Sequence, residues 1–221
     1  MNMRVRSSCL MVLAALLPLS ACFKLSRQSP RLQQFVLSGA PPTSTAEVRA
    51  GRTLALRRID LAAYLAVPAI IIRRGANEVV VSEFHRWGED LSEGINRVVA
   101  ANLAGAPSVR AVHVAPWQIG ARHDFLVQLH VSRFEGIADS AATQGRIHLL
   151  ASWDIISPGN GALLMRGTTD ERGGSWRVGD YAGLVTELDA ALSRMARDIA
   201  ACVARFPNDS TPPASCGAAA Q

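Results

Sequence analysis

The side chains best able to do chemistry in this chain are its cysteines and histidines. The cysteines are Cys9, Cys22, Cys202 and Cys216, and the histidines are His85, His113, His123, His130 and His148. His130 and His148 fall on the polar faces of two predicted strands and could be neighbours. Two imidazoles are fewer than the three or four protein ligands of a zinc site. His123-Asp124 supplies two members of a hydrolytic triad, but no serine is fixed beside them. The chain has no Gly-x-Ser-x-Gly elbow, no His-Glu-x-x-His helix, no phosphate loop ending in Gly-Lys-Ser/Thr, and no Cys-x-x-Cys pair. The expectation is a protein that is not an enzyme, with no cofactor and no metal.

Cys22 has a different chemistry. It ends the run Leu19-Ser20-Ala21-Cys22, a branched residue and two small ones before a cysteine, which resembles the bacterial lipobox. Small residues let extended backbone enter a protease cleft, and the thiolate is the nucleophile that takes up a diacylglyceryl group. Arg4 and Arg6 precede an apolar core from Cys9 to Leu19. That core is shorter than the roughly 20 residues a spanning helix needs. Residues 1–21 therefore read as a signal peptide cut between Ala21 and Cys22, and residues 22–31 as a lipidated tether. The alternatives are a plain signal peptide with an incidental cysteine, or an N-terminal anchor helix. Buried acyl chains contribute about 0.8 kcal/mol per methylene, so two or three chains hold a protein on a membrane. Residue 23 is Phe, not the Asp that commonly retains proteobacterial lipoproteins in the inner membrane. The expected location is the outer membrane of a Gram-negative bacterium, facing the periplasm.

Export would leave Cys202 and Cys216 where disulfides persist. A bridge between them closes a loop of about 15 residues, a gain of roughly 3 kcal/mol. One buried thiol and one free thiol is the other reading.

The elements that must position these groups follow from periodicity. Phe35-Val36-Leu37 marks a first strand, residues 39–51 a loop, and residues 52–61 a second strand. Ile70-Ile71-Ile72 and Val79-Val80-Val81 flank Gly75-Ala76-Asn77 as a hairpin. Asp90 suits a helix N-cap before Leu91, Ile95, Val98, Val99 and Leu103. Strands follow over 109–114, 125–131, 147–155 and 163–169, with Pro158-Gly159-Asn160-Gly161 turning the last pair. Tyr181, Leu184, Leu188, Leu192, Met195, Ile199 and Val203 recur at helical spacing. The sum is an α+β domain over 32–206, with a mixed or largely antiparallel sheet of about seven strands on two main helices. Residues 207–221 read as a disordered tail.

Composition narrows the function classes. The 221 residues are 49% hydrophobic and 19% charged, which is globular rather than disordered composition. The long apolar run lies only at the N-terminus, which argues against a polytopic membrane protein. The formal net charge is +5, with Lys24 the only lysine. The arginines are scattered rather than clustered in an arm or stripe, which argues against nucleic-acid binding.

The stretch over residues 64–103 is the most informative. Tyr64-Leu65 with Pro68, the apolar hairpin around Asn77, and Glu83-Phe84-His85-Arg86-Trp87-Gly88-Glu89 leading into a helix resemble the ABC-type transport auxiliary lipoproteins, which include the paraquat-inducible protein C lipoproteins. Phe35-Val36-Leu37, Trp153 and Tyr181 agree with that pattern, as does Cys22. Members often carry a charged residue near 66 or 67, where this chain has Ala66-Val67. The resemblance implies a noncatalytic subunit that accompanies an MCE-domain protein and an ABC-type permease and ATPase. Such systems move phospholipids or other hydrophobic molecules across the periplasm, and the lipoprotein would dock the far end of the MCE assembly. A homo-oligomer is compatible with that role. Glu83, Phe84 and Trp87 are the docking candidates; the competing reading packs Trp87 under the hairpin and gives Glu83 and Glu89 to helix-start electrostatics or to Arg86. A free-standing lipid-binding or envelope-assembly lipoprotein is the alternative function.

Overall fold

The computed structural model describes residues 30–39, 51–206 and Cys216. The expected signal peptide, the cleavage site Ala21-Cys22, most of the tether, residues 40–50 and the tail apart from Cys216 lie outside the described residues. The described residues from Leu32 onward belong to one compact unit. Its strands are β1 (Gln33–Phe35), β2 (Arg52–Leu56), β3 (Asp60–Leu61), β4 (Ala69–Arg74), β5 (Glu78–Trp87), β6 (Val109–Val114), β7 (Phe125–Ile137), β8 (Gln144–Ile156), β9 (Leu163–Glu171) and β10 (Ser175–Arg177). Its α-helices are α1 (Leu91–Ala104) and α2 (Tyr181–Val203).

β7 organises the sheet. One of its edges is antiparallel to β8, and along the other run β2, β3 and β4 in turn, all parallel to it. β6 lies beyond β2, and β5 then β1 lie beyond β4. β9 and β10 both pair with β8, at different parts of its length. Phe125, Val127, Leu129 and Val131 are buried while Leu126, Gln128 and His130 between them are partly exposed. A bulge between Val131 and Arg133 shifts this alternation, so Phe134 and Gly136 continue the buried face. A Cβ added to Gly136 would touch Trp176 and Leu184, which puts that face under α2.

The helices form where their caps allow. Asp90 accepts from the backbone N–H of Ser92 at 2.8 Å and of Glu93 at 3.3 Å, satisfying donors of the first turn of α1. Asp180 does the same for α2, accepting from Gly183 at 2.9 Å. Both helices lie on one face of the sheet. Leu129, Trp153, Leu188, Leu192 and Met195 fill the space between, each no more than 2% exposed. Burying a side chain of this size stabilises the fold by about 1.5–3 kcal/mol.

The α+β class expected from the sequence is the one observed, with ten strands rather than about seven. The expected strand over 52–61 breaks at Arg57-Arg58, where the backbone steps from β2 to β3 along the same edge of β7. β5 runs on to Trp87, six residues past Val81, because β1 supplies a parallel partner there, Phe35 opposite Trp87. β10 is three residues whose only inward side chain, Trp176, is 2% exposed; so short a segment shows no periodicity.

Candidate functional site

Trp87 occupies the corner where β5 gives way to α1. Its backbone N–H donates to the carbonyl of Pro68 at 2.7 Å, and the next N–H, of Gly88, donates to Phe35 at 2.7 Å. The side chain is 6% exposed, and its ring centroid lies 6.0 Å from that of Phe134. Trp87 is thus the back wall of a pocket of about 440 Å³, not a protruding ring. Ile59, Leu61, Leu65, Val67 and Leu91 supply its other apolar surface, and Glu89, Asp90 and Ser92 its polar surface. Ala66 and Val67 make this part of the wall apolar.

The acidic groups of this corner are held by structure. Arg97 binds Glu89 and also donates to the carbonyl of Leu37 at 2.8 Å, so β1 is strapped to α1. The partner of Glu89 is therefore Arg97, not Arg86. A Cβ on Gly94 would lie 2.9 Å from Glu89, so the glycine makes room for that carboxylate. The Asp90 carboxyl is held below its ordinary value, first by the Ser92 hydroxyl and then by the backbone bonds of the cap.

Glu83 and Phe84 do not join Trp87. Glu83 is exposed, Phe84 is partly exposed, and neither lines the pocket. Between them and Trp87, His85 stacks on Tyr181 of α2, centroids 3.7 Å apart and planes 7° apart. Ser82 Oγ lies 2.9 Å from His85 Nδ1, and burial lowers the pKa of that imidazole.

Polar networks that periodicity does not reveal lie on the sheet face away from the helices. Glu135 is fully buried there. It accepts from Arg73, from Arg133 at 3.2 Å and from the Tyr64 hydroxyl at 2.8 Å. Burial and the Glu135 charge push the Tyr64 phenol up to about 12. Beside it, His148 Nε2 lies 2.9 Å from Asp170, which Arg172 also holds. His148 is 4% exposed and was expected on a solvated strand face. It is not next to His130, which sits opposite Ser152 and reaches Asp60 at 3.2 Å. The other two histidines pair with each other, His113 Nδ1 to His123 Nε2 at 2.9 Å, while Asp124 accepts from Thr53 at 2.6 Å. His123 and Asp124 are thus turned to different partners and do not form a triad. Among the described residues no three metal-binding side chains converge, and no helix is long and apolar enough to cross a membrane. Cys202 and Cys216 are joined as a disulfide, with Cα atoms 5.1 Å apart.

The strapped β1, the hairpin and the corner leading into α1 form one continuous architecture, and the family model for ABC-type transport auxiliary lipoprotein components matches residues 35–200. The chain belongs to this family. Among solved structures, that of protein XCC0632 from Xanthomonas campestris, assigned to the DUF330 family model, superposes with a TM-score of 0.62. The two share 15% identity, over 76% of this chain and 92% of that one. A second, of an uncharacterized protein, gives a TM-score of 0.58 at 16% identity, over 77% of this chain and 97% of that one. At these identities both show the auxiliary-lipoprotein chain's fold and nothing further. No curated protein matches it in sequence. The Trp87 pocket lies within the residues that the family model matches.

Proposed function

We propose that this chain is the noncatalytic lipoprotein subunit of an MCE/ABC-type transport system, lipid-anchored through Cys22 on the periplasmic side of the outer membrane. There it docks the MCE assembly that carries phospholipids or other hydrophobic molecules across the periplasm. The observation that carries the reading is the family match over 35–200, with an apolar pocket on its central segment. A pocket with an apolar back wall and a few polar groups at one side suits a protruding apolar side chain of a partner. Anchoring confines the domain to one surface, which raises its effective concentration for a partner that reaches that surface.

A free-standing lipid-binding protein would need an apolar chamber of acyl-chain size. The space between sheet and helices is instead filled by Phe125, Leu129, Trp153 and Leu188. The test is light crosslinking in membranes, solubilisation in mild detergent and capture on a tag placed after Gln221. Recovery of an MCE-domain protein with its permease supports the proposal. Reproducible recovery of lipid alone, with no transport protein, replaces it with the free-standing reading.

A further inference from the structure

The helices cover one face of the sheet and leave the other open. On that open face a single row crosses five strands at one end of the sheet: Ser175 of β10, Arg146 of β8, Ile137 of β7, Arg73 of β4 and Val79 of β5. Arg177 stands diagonally from Arg146, two residues further along β10. Arg133 and Arg172 complete a cluster of five arginines against two carboxylates, Glu135 and Asp170. Glu135 is wholly buried beneath Arg73 and Arg133, so the groups presented to solvent are mainly guanidinium. Arg172 keeps 67% of its side chain exposed while bound to Asp170. Among the described residues Arg146 and Arg177 form no ion pair and both are exposed. Diagonal neighbours on a sheet are about 7–8 Å apart. Two unpaired like charges at that spacing repel.

β1 is parallel to β5 and pairs with its last residues, Gln33 opposite His85, so the chain approaches Gln33 from the direction in which β5 begins. Exposed apolar side chains near this end are Val81 in the first half of β5 and Val178 directly after β10. Glu78 at the hairpin is taken by Arg74, Asp180 is taken by the cap of α2, and Asp139 lies at the margin in the β7–β8 turn. The ten residues from Cys22 to Leu32 span at most about 35 Å.

We infer that this end of the open sheet face is a membrane-contact surface that binds the phosphate groups of anionic phospholipids. Arg146 and Arg177 are its principal contacts, and Val178 is set at the apolar boundary. The inference rests on the lipid-anchored reading of Cys22. Guanidinium groups bind phosphate oxygens with two parallel N–H bonds, and a basic residue near an anionic surface gains about 1 kcal/mol, roughly fivefold in affinity. Contact at this end lays the domain down on the bilayer and fixes which way the Trp87 corner faces.

The test uses the full lipidated protein in vesicles of phosphatidylcholine alone or with one third phosphatidylglycerol, read by hydrogen exchange. Peptides covering 139–147 and 172–179 should exchange about fivefold more slowly with phosphatidylglycerol present. Salt at about 0.5 M should remove that protection. Arg146→Glu with Arg177→Glu should remove it too, while α2 exchanges unchanged. Equal exchange in both vesicles overturns the inference, as does protection that survives the double variant. Protection that appears only when the MCE-domain protein is added also overturns it and makes the face a protein interface. Intact mass separates the two readings. A chain without diacylglyceryl on Cys22 refutes the anchor, whereas an acylated chain without protection refutes only the contact surface.

Discussion

Glu135 and His148 stand directly opposite each other on β7 and β8, both buried, on the face of the sheet that no helix covers. Neither faces the other's charge alone. Glu135 is held by Arg73, Arg133 and Tyr64, and His148 by Asp170. Side chains from β4, β7 and the turn before β4 thus roof an open sheet face that would otherwise show its backbone to solvent.

The Arg73–Glu135 pair makes the first prediction. Glu135 is 0% exposed and Arg73 12%. Removing one partner of a buried pair costs up to about 3–5 kcal/mol, here reduced by the contacts Glu135 keeps with Arg133 and Tyr64. Arg73→Met should therefore lower the urea midpoint sharply. Arg73→Met with Glu135→Leu should cost clearly less than the sum of the single changes. Strict additivity would show that the two side chains act independently.

His148 makes stability depend on pH. Burial is the main reason its pKa sits below the ordinary 6.5; Arg172 and Arg133 push the same way, and the bond to Asp170 opposes them without reversing the direction. The unfolded chain therefore binds this proton at a higher pH than the folded chain does. As pH falls below about 6.5 the unfolded state holds more protons, and stability drops. His85 and His123 are lowered as well, burial being the first cause in each, and act in the same window. The Tm at about pH 5 should lie below that at pH 7.5, and His148→Gln should narrow the gap. A Tm that rises on acidification would contradict this.

How much of this was legible depends on what each element announces. α1 showed itself because a cap residue and a 3.6-residue repeat coincide, at Asp90 before Leu91, and α2 through its repeat alone, its Asp180 cap emerging from the structure. β7 showed itself from Phe125 to Val131 and then went silent, because the bulge before Arg133 breaks the alternation that marks a strand. His148 looked solvated because its strand position is on the polar face, yet that face is roofed by side chains from distant segments, which no local pattern records. Trp87 was legible as the centre of a motif. Its burial follows from Phe35, more than fifty positions away, extending the sheet beside it.

Gly167 and Trp153 give a packing prediction. They are cross-strand partners, and a Cβ at 167 would lie 2.1 Å from the indole. Trp153 is 2% exposed and its Nε1–H donates to Thr169, so the ring has nowhere to move. Gly167→Ala should cost about 1–3 kcal/mol by overpacking. In a Trp153→Leu background the same glycine substitution should cost clearly less, since the smaller side chain clears the new methyl group. If Gly167→Ala is neutral by thermal unfolding, the two strands are less tightly packed than this geometry requires.

The Cys202–Cys216 bridge closes a loop with a sequence separation of 14. Constraining the unfolded chain over that length stabilises by about 3 kcal/mol. Cys216→Ser should lower stability by roughly that amount, and reductant should bring the unaltered protein to the same midpoint. Cys202 is 2% exposed at the end of α2, so the serine belongs at 216, where it does not put a hydroxyl into the core. Identical unfolding with and without reductant would show that the two thiols are not bonded in solution.

The corner pocket requires a variant that spares the fold. Trp87→Ala would remove a buried indole, at a cost of about 3–5 kcal/mol, so lost partner binding in that variant reports unfolding. Ala66 is exposed and lines the pocket. Ala66→Glu places a charge on an apolar wall already near Glu89 and Asp90, and an exposed substitution shifts stability by about 0.5 kcal/mol or less. Crosslinked recovery of the MCE-domain protein should fall about tenfold with Ala66→Glu, with Tm unchanged, since one desolvated like charge in a small apolar site costs on the order of 1.4 kcal/mol or more. Glu83→Lys is the comparison, because Glu83 is exposed on β5 and outside the pocket. If Glu83→Lys abolishes recovery and Ala66→Glu does not, the partner binds along β5, and the pocket behind Trp87 is only the space left where the strand turns into the helix.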